Sequence, residues 1–187
     1  MNTLYLIAGH HHNDPGAVSN HASLGGRVKE ADLTIELRGL IKMYFELYND
    51  NPVVIDNDSH VLSRVISEIA STIKRDDIMV DIHFNAFNGR ATGVEVIVPR
   101  ISSAKERNLA DNICINLADI MKIPNRGVKG EDKTARGRIG ILAGTGNRIL
   151  IEVCFKDNPV DMLAYQKNKH LVADSIAQSI EKYINEK

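Results

Sequence analysis

Three consecutive histidines, His10, His11 and His12, stand just after the apolar run "LYLIA" and one glycine. A strong turn signal, Asp14-Pro15-Gly16, follows them. The chain holds only seven histidines, so a run of three is unusual. A purification tag would sit at a terminus, outside the fold pattern. This run instead closes a strand-like segment, which leaves a polar loop cluster or part of a metal site. Two more residues sit where chemistry could be done. His83 lies near the end of "IMVDIHF", and Glu152 lies inside "RILIEVCF". A carboxylate between Ile151 and Val153 in a buried strand is costly unless paired, coordinated or neutralised. An edge position facing solvent, or an arginine partner, would also satisfy it. A lone His83 could equally be a hydrogen-bonded core imidazole, but the polar, glycine-ended "HFNAFNG" favours function.

Zinc takes nitrogen and oxygen ligands tetrahedrally, and a catalytic zinc keeps one position open for water. A hydrolytic site also needs a separate carboxylate to take the water proton and pass it on. His10 and His83 supply two ligands, one Glu a third, and another Glu the base. Glu30, which opens a helix after "LGGRVK", is the candidate third ligand. It could also be a first-turn glutamate that favours the helix dipole. Spacing alone does not choose it over Glu36 or Glu95.

These residues must be positioned by alternating strands and helices. Strands are expected over 3–8, 52–55, 78–84, 93–99, 138–142 and 148–155. The stretch 30–49 carries Leu33, Leu37, Leu40, Ile41, Tyr44 and Phe45 at helical spacing. Further helices are expected over 61–74, over 103–122 ahead of Pro124, and over 170–184. A shorter one should precede the last, near "PVDMLAYQ". The segments 9–29 and 124–137 read as long loops, and long loops in compact domains are often functional. Such alternation argues for one α/β domain with a largely parallel or mixed sheet covered by helices. In open α/β sheets, ligands collect beyond the carboxyl ends of the strands, where His10 and His83 would lie.

The bulk properties exclude several classes. With 187 residues the chain can bury a core without disulfides. A net charge of −1 gives no electrostatic case for nucleic acid or anionic membranes. Trp is absent, which argues against stacking platforms for bases or sugars. No apolar run approaches the roughly 18 residues of a membrane span. The N-terminus does not read as a signal peptide, so synthesis and folding are expected in the cytoplasm. Cys114 and Cys154 have no metal-ligand spacing and read as reduced thiols. Cys154 is two residues from Glu152, so strand alternation puts both on one face. It reads there as a small buried hydrophobe or as a thiol near the site.

Five blocks in order, "GHHHNDPGAV", "KEADLTIEL", "DIHFNAFNGRATGVEV", "NRGVK" and "LIEVCFKDNPVDM", resemble the zinc-dependent N-acetylmuramoyl-L-alanine amidases of the amidase-3 type. The resemblance covers nearly the whole chain. It implies that His10, Glu30 and His83 bind one zinc ion and that Glu152 is the catalytic carboxylate. It implies a twisted mixed sheet of about six strands flanked by helices on both faces. The implied partner is peptidoglycan, cut between N-acetylmuramic acid and L-alanine. The family often has glycines where this chain has His11 and His12, and often Gly where it has Cys154. The triple histidine therefore reads as one ligand and two passengers. The segment "GEDKTARGRIGILAGTGN" is only loosely family-like and identifies no substrate contact.

Residues 1–187 are expected to form one catalytic domain with no separate wall-binding domain. That form looks most like a phage or prophage endolysin acting on the wall after release. A wall-remodelling or sporulation amidase, a deacetylase-like metal hydrolase, and a non-catalytic metal- or wall-binding protein are the rival readings. The oligomeric state is not fixed by the sequence.

Overall fold

The computed structural model describes residues 2–21 and 26–186. In chain order it contains β1 (Leu4–Ala8), β2 (Val18–His21), β3 (Gly26–Lys29), α1 (Glu30–Tyr48), β4 (Val53–Ile55) and α2 (Leu62–Thr72). There follow β5 (Ile78–Asn85), β6 (Val94–Val98), α3 (Ala104–Met121), β7 (Asn125–Gly130), β8 (Asn147–Phe155) and α4 (Pro159–Asn185). A six-stranded mixed sheet has the order β4-β1-β5-β8-β6-β7, and β2 and β3 form a separate antiparallel hairpin. All neighbours in the large sheet run parallel except β6 and β8, which are antiparallel.

Two apolar layers hold the sheet. On one face Leu37, Ile41 and Phe45 of α1 pack with Ile113 and Leu117 of α3 and Ile176 of α4. On the other face Val65, Ile69 and Ile73 of α2 and its C-cap meet Ile139, Ile141 and Leu142. The helices start where their sequences favour it. Ser103 and Glu106 form a reciprocal capping box on α3, and Asn158 caps α4 with Pro159 in the first turn.

Three expectations about the elements need correction, and a fourth, about Cys154, follows from the strand register. Residues 138–142 do not form a strand. Gly140–Leu142 make a 3₁₀ turn that lies over the α2 face. The buried Arg148 donates to the carbonyls of Ile141 at 2.7 Å and Thr145 at 2.7 Å, so these groups bond to a side chain rather than to a strand. The two helices expected near the C-terminus are one 27-residue helix, because nothing between Gln166 and His170 breaks it. The stretches 9–29 and 124–137 are not all loop. They contain the β2–β3 hairpin and the edge strand β7, neither of which shows apolar alternation. The hairpin's tip lies outside the described residues.

The order of strands decides what meets. β1, β5 and β8 are neighbours and parallel, so their carboxyl ends converge. β6 is antiparallel to β8, so its start joins the same end and Glu95 stands opposite Glu152. β5 and β8 keep register to the pair His83–Glu152 and then slip, with Asn85 opposite Phe155. The extra residue in β8 breaks the alternation. Cys154 therefore does not share a face with Glu152. It is fully buried in the α1–α3–α4 layer with Ile151 and Val153. Burial pushes its thiol well above the usual range, with Asp161 adding to the shift. It is the small buried hydrophobe of the two expected alternatives.

Asp161 of α4 fixes this slip. Its carboxylate is fully buried and accepts from the backbone N–H of Gly93 at 3.0 Å and of Phe155 at 3.0 Å. The Thr92 hydroxyl donates to it as well. Asp161→Ala strands these donors in the core. We expect it to cost about 3 kcal/mol or more, on the scale of 1–3 kcal/mol per stranded buried group. Urea unfolding of the two proteins measures this, and a loss within about 0.5 kcal/mol, as for an ordinary surface change, would contradict it.

Candidate functional site

Glu30 is the first residue of α1, and its carboxylate faces two imidazoles rather than capping its own helix. His83 Nδ1 lies 3.1 Å from Glu30 Oε1, and His10 Nε2 lies 3.4 Å from Glu30 Oε2. The two rings meet edge to face with centroids 5.1 Å apart. One ligand atom from each of His10, Glu30 and His83 lies within 4.8 Å of the others. The carboxylate is itself held, accepting from the N–H of Ala17 at 3.1 Å and of Phe84 at 3.1 Å.

Each imidazole has a second carboxylate behind it. His10 Nδ1 pairs with Asp14 Oδ2 at 3.1 Å, and His83 Nε2 pairs with Asp81 Oδ2 at 3.1 Å. These partners leave His10 Nε2 and His83 Nδ1 pointing at one place. That is how metal-binding histidines are oriented, through the ring nitrogen that does not ligate. Two glycines make room. A Cβ at Gly9 would stand 2.1 Å from His83 Nε2, and one at Gly16 would stand 2.6 Å from His10 Cδ2. Gly16 also has φ +63°, which favours glycine.

Glu152 flanks the cluster on the neighbouring strand, in register with His83. Its Oε2 is sealed from solvent and has no hydrogen-bond partner among the described residues. Burial pushes its carboxyl up to about 7, against the pull of His83 and with Glu30, Glu95 and Asp81 adding to the rise. Burial alone would lower His83, but Asp81, Glu30 and Glu152 outweigh it and draw its pKa well up. Four carboxylates around two imidazoles thus favour a bound cation. A His₂–carboxylate donor set suits zinc and other first-row divalent ions, and the residues present fit such an ion.

The site opens into two adjoining clefts. One of about 510 Å³ is lined by His10, Asp14, Glu30, His83, Arg136 and Glu152. The other, of about 450 Å³, shares His83, Arg136 and Glu152 and continues past Glu95, Lys129 and Lys133. A larger groove of about 860 Å³, at Tyr48, Asn112 and Gln178, contains none of the candidate residues.

The structure brings together all four residues singled out from the sequence. Of the alternatives, Glu36 pairs with Lys169 away from the site. Glu95 binds Arg126 and Lys129 instead of joining the histidines. His11 takes a hydrogen bond from the Asn13 N–H, His12 is exposed, and neither belongs to the cluster. Sequence reasoning missed Asp81 and Asp14 as partners of the histidines. Asp81 could have been found, since it is two residues from His83 on one strand and must share its face. Arg136, Lys129 and Lys133 lie in segments read as loop and gave no signal.

Residues 4–182 match the family model described as N-acetylmuramoyl-L-alanine amidase. The chain is 27% identical over 187 residues to the uncharacterized protein YqiI of Bacillus subtilis, covering 98% of this chain and 85% of that protein. Its fold resembles the crystal structure of an N-acetylmuramoyl-L-alanine amidase from Clostridium difficile 630, with TM-score 0.81, 22% identity and coverage of 100% and 98%. It also resembles the catalytic domain of the CD27L endolysin targeting Clostridia difficile, with TM-score 0.71, 21% identity and coverage of 98% and 97%.

The glycine at position 9 gives a direct test of the geometry. Gly9→Ala should fold, as judged by circular dichroism, yet displace the His83 ring. Its affinity for a divalent metal ion should fall at least about tenfold, the scale of losing a ligand's outer support. Equilibrium dialysis measures it, and unchanged affinity would show that His83 is not confined as described.

Proposed function

The chain belongs to the N-acetylmuramoyl-L-alanine amidase family, and from that membership we propose a zinc-dependent hydrolase that cuts peptidoglycan between N-acetylmuramic acid and L-alanine. In this reading His10 Nε2, Glu30 and His83 Nδ1 hold one zinc ion, and Glu152 carries the proton. The observation that carries it is the buried Oε2 of Glu152, without a partner among the described residues, beside the His10–Glu30–His83 cluster. Bound zinc would supply a Lewis acid to the amide carbonyl and acidify a water beside it.

Glu152 then does two jobs. Its carboxylate takes a proton from water as the water oxygen bonds to the carbonyl carbon. It returns that proton to the nitrogen as the carbon–nitrogen bond breaks, leaving a carboxylic acid on the lactyl group and a free amine on alanine. Burial raises this carboxyl in the metal-free site, and a bound cation beside it would draw it back toward the ordinary carboxylate range, where it is ready to accept the proton from water. Asp14 and Asp81 keep the two histidines in the tautomers the site needs. We place the activity in an endolysin setting, in line with the endolysin catalytic domain that shares the fold.

Two measurements test this together. Chelation should abolish cleavage of purified peptidoglycan and zinc should restore it, while circular dichroism shows the fold retained. Mass spectrometry of the digest should find new free L-alanine amino termini. New reducing sugar ends would point to a glycosidase, released acetate to a deacetylase, and either would overturn the amidase reading.

A further inference from the structure

The second cleft has a charge that the proposed cleavage chemistry does not use. Glu95 Oε2 holds Lys129 Nζ at 2.6 Å at the cleft wall and Arg126 Nε at 2.7 Å behind it. Gly93 gives the strand and the Arg126 stem room, since a Cβ there would stand 2.5 Å from the Pro124 carbonyl oxygen and 2.9 Å from Arg126 Cγ. Lys133 is mostly exposed and lies only 3.4 Å from its neighbour Asp132. Arg136 lines both clefts, and its side chain has no ion pair or hydrogen bond among the described residues. The floor is apolar, made by Ile97, Ile139 and Leu150.

The loop that presents these cations is tied down. Glu131 accepts from the Ile139 N–H at 2.7 Å and the Arg100 N–H at 3.3 Å, and the Thr134 hydroxyl donates to the Glu131 carbonyl at 2.7 Å. The lobe is therefore a built pocket in which Arg136 and Lys133 face the opening, Lys129 is held by Glu95, and Glu152 itself forms part of the wall.

We propose that this lobe reads a free carboxylate on the stem peptide, one residue beyond the alanine whose amide is cut. The proposal rests on the amidase reading. N-acetylated sugars are neutral, and the lactyl carboxyl is consumed in the scissile amide. The nearest anion on such a substrate is the carboxylate of the second, acidic stem residue. Arg136 and Lys133 supply donors to it, Lys129 adds positive potential, and the apolar floor takes the aliphatic parts. Arginine suits this role because its planar fork matches a carboxylate. The enzyme is then selective for stems whose second residue is acidic over those where it is amidated.

The test uses two soluble muramoyl peptides, identical except for a carboxylate or a carboxamide on the second residue. The zinc-loaded protein should cleave the acid with kcat/KM on the order of 10- to 100-fold higher, the worth of a charge-assisted hydrogen bond. Arg136→Met and Lys133→Met should each pull that ratio toward one, mainly through KM. Lys133 is exposed, so its replacement leaves the fold alone. Equal cleavage of the two substrates by the unaltered protein would overturn the proposal while leaving the amidase reading intact. So would a preference that survives both substitutions. Calorimetry with the released acidic and amidated peptides gives a second readout that needs no turnover. Tighter binding of the acidic peptide, lost in Arg136→Met, supports the lobe even if neither substrate is cut, in which case the amidase reading alone fails. Equal binding of the two peptides counts against the lobe.

Discussion

The carboxylate of Glu30 is the interaction on which the rest of the site depends. It is nearly buried, and it accepts from the backbone of two separate segments while facing two imidazoles. A buried charge without such partners would be prohibitively costly. The chain therefore has to bring the start of α1, the end of β1 and the end of β5 to one point. The Glu30 N–H donates to the Ala17 carbonyl and the Ala31 N–H to that of Pro15, so the histidine-bearing loop is bound to the helix that carries the carboxylate. Beneath it, buried Arg38 pairs with Asp56, which accepts from the Ala8 N–H at the end of β1. The loop is anchored above and below.

The sheet adds the remaining group. Placing β8 beside β5 sets Glu152 next to His83, and reversing β6 sets Glu95 opposite Glu152. Among the described residues Glu152 Oε2 has no hydrogen-bond partner, while Glu95 is saturated by Arg126 and Lys129. Two carboxylates on adjacent strands are thereby given opposite characters. Burial and neighbouring carboxylates raise Glu152 to about 7. Burial also opposes ionisation of Glu95, but its two cations outweigh that and hold it below the usual range. One is suited to move a proton and the other to fix charge in the adjoining cleft.

Much of this was legible in the sequence. β1, β5 and β8 are apolar runs, and a histidine or carboxylate near their ends is conspicuous because burial makes it expensive. The helices announced themselves by periodicity, and the resemblance carried over Glu30, which spacing left tied with Glu36 and Glu95. What the sequence hid has physical reasons too. β7 is an edge strand, "NRGVKG", held by backbone pairing rather than by apolar alternation. The stretch "RIGIL" has the composition of a strand, but Arg148 binds the Ile141 carbonyl and the stretch closes as a 3₁₀ turn. Cys154 fell on the wrong face because the slip after Glu152 depends on Asp161 of α4, a contact between distant elements that strand alternation cannot foresee.

We propose that one glutamate, Glu152, uses the site and another, Glu30, builds it. Metal content and turnover, measured side by side on Glu152→Gln and Glu30→Gln, test it most directly. Glu152→Gln should keep one equivalent of zinc while its turnover falls by about 10²- to 10⁴-fold, as for loss of a general acid–base group. Glu30→Gln should lose zinc affinity, since a neutral amide is a poor substitute for a ligating carboxylate. A Glu152→Gln protein with near-normal turnover, or one that loses its zinc while Glu30→Gln retains it, would contradict that division of roles.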